Sequence, residues 1–139
     1  HSGGAYRTSE AVDIKLAPGG VGYTIGYTEP GEWLKYDVNV TQSGNYAVTA
    51  RGANGVSTNG NFRVEIDGVN ATGTISIPPT GSYSVETTVN GPSISLAQGV
   101  RTLRVYIESG NFDLNWIELN ASSVGSAPVP PTNVVVTAQ

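Results

Sequence analysis

The stretch Trp33-Leu34-Lys35-Tyr36-Asp37-Val38-Asn39-Val40 alternates strictly, with Leu34, Tyr36, Val38 and Val40 on one side and Lys35, Asp37 and Asn39 on the other. A side-chain period of two is the signature of a half-buried β-strand, one face on a core and the other in water. Outward from it the pattern repeats. Residues 46–51 oppose Tyr46, Val48 and Ala50 to Thr49 and Arg51, and residues 62–67 oppose Phe62, Val64 and Ile66 to Arg63, Glu65 and Asp67. In 102–108, Leu103, Val105 and Ile107 oppose Arg104 and Glu108. Shorter candidates lie at 21–27, 72–77, 83–89, 93–97 and 112–119. Turn chemistry separates these runs at Pro18-Gly19-Gly20, Pro30-Gly31, Ser43-Gly44, Asp67-Gly68, Pro78-Pro79-Thr80-Gly81, Asn90-Gly91-Pro92 and Ser109-Gly110-Asn111. About nine short strands with turns every 8–12 residues predict an all-β sandwich of two antiparallel sheets, jelly-roll or immunoglobulin-like.

Composition narrows the function. The 139 residues include 18 Gly and 8 Pro but no Cys, and 13% are charged. Without Cys there is no disulfide, thiolate metal site or cysteine nucleophile. The one histidine is His1, which removes histidine triads and histidine-bound zinc. A net charge of −4 without a basic cluster argues against nucleic acid as a partner. No apolar run approaches the roughly 20 residues of a membrane helix. Met is absent even from position 1, which points to a piece of a longer protein. From Ala121 the chain turns Ser- and Pro-rich, so the domain is expected to span 1–120. Residues 121–139 then read as a linker with Val134-Val135-Val136-Thr137 opening a further module.

Paired carboxylates, the requirement for glycoside hydrolysis, are scarce. Glu65-Ile66-Asp67 would share a strand face but reads as an ordinary strand entering a turn, and Glu29 and Glu32 flank Pro30-Gly31 as a solvated loop. Aromatics carry more. Tyr27 precedes a loop and Tyr83 follows one; an exposed ring beside a carboxylate suits the apolar face and hydroxyls of a sugar, and equally can cover a core edge. In Phe112-Asp113-Leu114-Asn115-Trp116-Ile117-Glu118-Leu119, Asp113 and Asn115 share a face with Ile117 and Leu119. Burial without a partner costs about 1–3 kcal/mol per group, so both should bind a neighbouring loop, a metal or a ligand.

Gly26-Tyr27-Thr28-Glu29-Pro30-Gly31-Glu32-Trp33-Leu34-Lys35-Tyr36 resembles the GY-x-x-x-G-[DE]-W-x-x-Y signature of family 6 carbohydrate-binding modules. Ser43-Gly44-Asn45-Tyr46, Ile77 to Tyr83, Leu96 to Val105 and the closing Phe112 to Glu118 follow in that family's order. The resemblance spans about Ser2 to Asn120. It implies a jelly-roll sandwich without catalytic activity, carried by a secreted, extracellular polysaccharide-degrading enzyme, with a linked catalytic domain and a polysaccharide or oligosaccharide as partners. It implies an edge site in which Tyr27 and Tyr83 grip a sugar ring and Asp113 bonds hydroxyls; many relatives carry Trp at the second position and Asn at the third. Some relatives use a second, sheet-face site at the position of Trp33, with an acid near Glu65. A structural calcium is also implied, with Asn115 as one ligand and acids of a first strand upstream of His1 as others. The stretch Ala5 to Ile14 is most similar to modules of agarases, with Glu10 as a further hydroxyl contact. A monomer is expected. A small β-sandwich glycosidase and a structural or adhesion module are the competing readings.

Overall fold

A computed structural model describes residues 12–122, which form ten strands and no helix. In chain order these are β1 (Ile14–Leu16), β2 (Tyr23–Ile25), β3 (Trp33–Val40), β4 (Gly44–Ala53) and β5 (Gly60–Ile66), followed by β6 (Val69–Asn70), β7 (Ile75–Ile77), β8 (Glu86–Leu96), β9 (Gly99–Ser109) and β10 (Asp113–Ala121). One antiparallel sheet has the order β1-β2-β10-β4-β8; the other has β3-β9-β5-β6, with β7 also on β5. Their inner faces enclose the core as a jelly-roll sandwich.

The period-two reading places β3 to the residue, with Val38 and Val40 buried among Tyr46, Val48, Phe62, Val64, Leu103 and Val105. Phe62 and Phe112 stack at 6.0 Å between centroids and close one end of this core. Asp67 and Gly68 both have positive φ (49° and 83°), the two-residue turn that suits the twist of a hairpin, and Ile66 faces Val69 across it. Asp67 therefore lies past the end of β5 and not on a strand face with Glu65.

Two expectations fail on local geometry. The segments 83–89 and 93–97 are one strand: β8 runs through Asn90-Gly91-Pro92. It is an edge strand, where a proline's missing N–H can face away from the ladder. The irregularity appears as a register shift opposite Ala47 and Thr49. A Cβ on Gly91 would meet Ile75 Cδ1 at 2.7 Å, so glycine here serves close packing and not a turn. In β10, Leu114 faces Gly52 and Trp116 faces Arg51, leaving Asn115 as the extra residue of a bulge. The bulge reverses the faces: Leu114, Ile117 and Leu119 point to the core, while Asp113 lies on the opposite side of the sheet from them.

Topology gathers four crossings between sheets at one end of the sandwich: the loops 26–32, 54–59, 78–85 and 110–112. Hydrogen bonds tie them in pairs. Thr28 joins Asn111 and Phe112, and Asn54 joins Thr80.

Candidate functional site

At this loop end Tyr27 is held with φ 53°, a left-handed backbone that a bulky residue adopts only under constraint. The constraint is Thr28, which is buried. Its hydroxyl donates to Phe112 O at 2.7 Å and accepts from Phe112 N at 3.1 Å, while Asn111 N donates to Thr28 O at 2.8 Å. Clamped on both sides, the backbone turns the Tyr27 ring outward, where it stays 51% exposed.

Tyr83, 38% exposed, comes from the opposite loop. Its ring lies flat against Gly55, where a Cβ would meet Tyr83 Cε2 at 2.5 Å, and its hydroxyl donates to Asn111 O at 3.3 Å. Beneath it Asn54, fully buried, organises both loops. Its amide donates to Thr58 O at 2.8 Å and Ile77 O at 3.0 Å, and its Oδ1 accepts from Val56 N at 3.1 Å.

Asp113, at the start of β10, reaches the same place from the outer face of its sheet. Its side chain is 3% exposed and lies 2.7 Å, through Oδ2, from the ammonium of Lys15 on β1. The contact is between charges and not a well-directed hydrogen bond: Oδ2 is buried without a hydrogen-bond partner. Burial pushes the Asp113 carboxyl above the usual aspartate value, Lys15 draws it back only in part, and Glu86 adds to the rise. The Lys15 ammonium sits over both rings, 5.4 Å from the centroid of Tyr27 and 5.2 Å from that of Tyr83. Gly26 is the floor, since a Cβ there would stand 2.8 Å from Lys15 Cε and 2.9 Å from Asp113 Oδ1.

Tyr27, Tyr83 and Asp113 thus meet in one place, and the structure adds Lys15, Thr28 and Asn54, which sequence reasoning missed. Lys15 lies in a three-residue strand too short to show alternation, and the partners of Thr28 and Asn54 are remote in sequence. Trp33 lies elsewhere. It is 53% exposed on the outer face of the β3-β9-β5 sheet, in a cross-strand row with Tyr106 and Arg63. Glu65, in the next row, is held by Arg104 at 2.6 Å and Arg63 at 2.9 Å. Burial raises its pKa, but the two guanidinium groups outweigh that and leave it below the ordinary value. Asp67 is also lowered, by the backbone N–H of Thr102 and by Arg101. A carboxyl held ionised cannot serve as the general acid of glycoside cleavage. Glu32 accepts a hydrogen bond from Glu29 N at 2.9 Å across the Pro30-Gly31 turn, the bond of a loop. Glu10 lies outside the described residues.

Asn115 donates its amide to Glu86 at 2.7 Å, and Glu86 is paired with Arg51 at 2.9 Å. Among the described residues no group of three or more His, Asp or Glu is placed to hold a metal. A calcium on Asn115 would draw its other ligands from backbone carbonyls, from Glu86 or from residues outside 12–122.

The sequence matches carbohydrate binding module family 6 over residues 4–121. The chain belongs to that family. Like its relatives this family 6 module is a non-catalytic binding module. It is 30% identical to the C-terminal CBM6 of LamC, a marine laminarinase from Zobellia galactanivorans, over 78% of this chain and 86% of that one, with a TM-score of 0.69. It is 29% identical to the module CBM6cm-2 of Cellvibrio mixtus lichenase 5A, solved with cellotriose, over 80% and 87% of the two chains at a TM-score of 0.70. CsCBM6-3 from Clostridium stercorarium, solved with cellobiose, is 27% identical over 80% and 82% at 0.66. Among curated proteins none matches the chain.

Proposed function

We propose that this module binds a polysaccharide chain end in the cleft between Tyr27 and Tyr83, with Asp113 bonding sugar hydroxyls. The observation that carries the reading is the convergence of two half-exposed tyrosines over one buried carboxylate, each from a different inter-sheet loop. Each ring offers a flat apolar face to sugar C–H groups, and the ionised carboxylate is an acceptor for hydroxyls. Similar modules solved with cellotriose and cellobiose support a carbohydrate ligand. Tyrosine where many relatives carry tryptophan offers less stacking area, so the sugar differs from cellulose and xylan; agarose or another marine or plant glycan fits. Similarity to modules of a laminarinase and a lichenase supports attachment to a secreted glycoside hydrolase, which the module would hold on its substrate. Few contacts set the affinity at about −4 to −8 kcal/mol, millimolar to micromolar.

The module acts as a monomer, and a calcium completed by ligands beyond residues 12–122 would raise its melting temperature without touching the cleft. A second, sheet-face site is favoured by one observation, the exposed Trp33 beside Tyr106 and two arginines. The test is affinity electrophoresis in gels containing agarose, laminarin, xylan or hydroxyethylcellulose. The native module should be retarded by at least one polymer, and Tyr27→Ala and Tyr83→Ala should each abolish that retardation with the fold intact. Unchanged retardation in both variants would overturn the edge assignment and leave the Trp33 face.

A further inference from the structure

We infer that Lys15 is a ligand-contacting residue: its ammonium, anchored on the buried Asp113 carboxylate, donates to a hydroxyl of a neutral sugar unit, and this ion pair excludes acidic sugars. The inference rests on the edge-site reading and deepens it. An ammonium carries three N–H donors and no acceptor. Asp113 is the one ion-pair partner of Lys15 among the described residues, and no other acceptor is bonded to it there. The Lys15 side chain is 32% exposed and Asp113 is 3% exposed, so the cation is the member of the pair nearer water. The two rings stand at nearly equal distance from it. A sugar stacked on the side of either ring that the ammonium covers therefore meets it.

Asp113 Oδ2 is buried, and the charge of the Lys15 ammonium is what compensates it, so the ammonium is held in place at the site. The ammonium, 2.7 Å away, covers Oδ2 and is the part of the pair that a sugar hydroxyl can reach.

Charge decides the class of sugar. Lys15 and Asp113 cancel, as do Arg51 and Glu86 alongside them. A uronate carboxylate or a sulfate placed on Lys15 would bring a second anion against Asp113, which already feels Glu86. Among the described residues Lys15 is the cation over these rings, and it is then shared, while like charges in a partly buried site repel strongly. A neutral diol brings donors and acceptors without that cost.

The experiment compares matched neutral and acidic polymers in affinity gels: agarose with κ-carrageenan, xylan with glucuronoxylan, hydroxyethylcellulose with carboxymethylcellulose. The proteins are the native module, Tyr27→Ala, Lys15→Gln, and the double variant Lys15→Met with Asp113→Asn. The native module should bind a neutral polymer about tenfold or more tightly than its acidic partner, with little change between low and high salt. Lys15→Gln should lose about tenfold or more on the neutral polymer with its melting temperature within a few degrees of native. The double variant should stay weak, because it has no charge left to balance but also no ammonium to donate. Native-like binding by Lys15→Gln, recovery in the double variant, or a preference for the acidic polymer would overturn the inference. If Tyr27→Ala still abolishes binding in those cases, the edge site stands and only the role of Lys15 falls. Retardation of the native module by no neutral polymer would remove both.

Discussion

Tyr27 shows what a single residue can store. Its φ of 53° costs about 1–2 kcal/mol relative to a relaxed backbone, and Thr28 holds it there through bonds to a segment 84 residues away in sequence. The sequence-level argument for Tyr27 rested on its place before a loop and on a family signature; the strain was invisible, because it depends on that remote partner. Strain and ring can be separated by substitution. Tyr27→Ala removes the ring and keeps the unfavourable φ, whereas Tyr27→Gly removes both. Both variants should lose glycan binding, and the glycine variant should be the more stable by about 1 kcal/mol in denaturant unfolding. An alanine variant as stable as the glycine variant would mean that the backbone at Tyr27 is not strained in solution.

Among the elements, strands of regular alternation were legible, and β2 and β7 fall within the candidates 21–27 and 72–77, whereas β1 was missed and β8 was read as two segments. β3, β4, β5 and β9 each bury alternate side chains, so a period of two reports them directly. β1, with three residues, offers no period to read, and it carries Lys15. Asn90-Gly91-Pro92 reads as a turn because those residue types favour turns; an edge position with a small residue facing Ile75 lets the strand continue instead. The bulge at Asn115 escaped for a related reason. One inserted residue reverses every face before it, and nothing in Asp113-Leu114-Asn115 announces the insertion. Loops were legible as loops but not as a cluster. Asn54 is the residue that makes them one, satisfying Thr58 O, Ile77 O and Val56 N at once. Asn54→Ala leaves those groups unpaired in a buried place, so it should cost about 2–4 kcal/mol and weaken glycan retention by loosening the seat of Tyr83. Asn54→Asp should not rescue stability, because a carboxylate cannot donate to two carbonyls. A variant with native stability and native retention would show that the loops are held by other means.

For the molecule as a whole, the jelly roll places four crossings at one end, and each brings one part of the cleft: Tyr27, Gly55, Tyr83 and the entry to Asp113. The two sheets supply rigidity, while the two tyrosines proposed for recognition sit on connections whose backbones are pinned to one another. The broad outer face carrying Trp33, Tyr106 and the arginine–glutamate network is a separate surface, and its Glu65 is held ionised. The family, the fold and the two tyrosines could be read from sequence motifs. The cation at the cleft floor required the three-dimensional arrangement. The most direct measurement is an amide chemical-shift titration of the native module with a soluble oligosaccharide of whichever polymer retards it. The account predicts that shifts concentrate at Gly26, Tyr27, Gly55, Tyr83 and Asp113 and leave Trp33, Arg63 and Tyr106 unmoved. Shifts confined to Trp33, Arg63 and Tyr106, with the loop end silent, would contradict it.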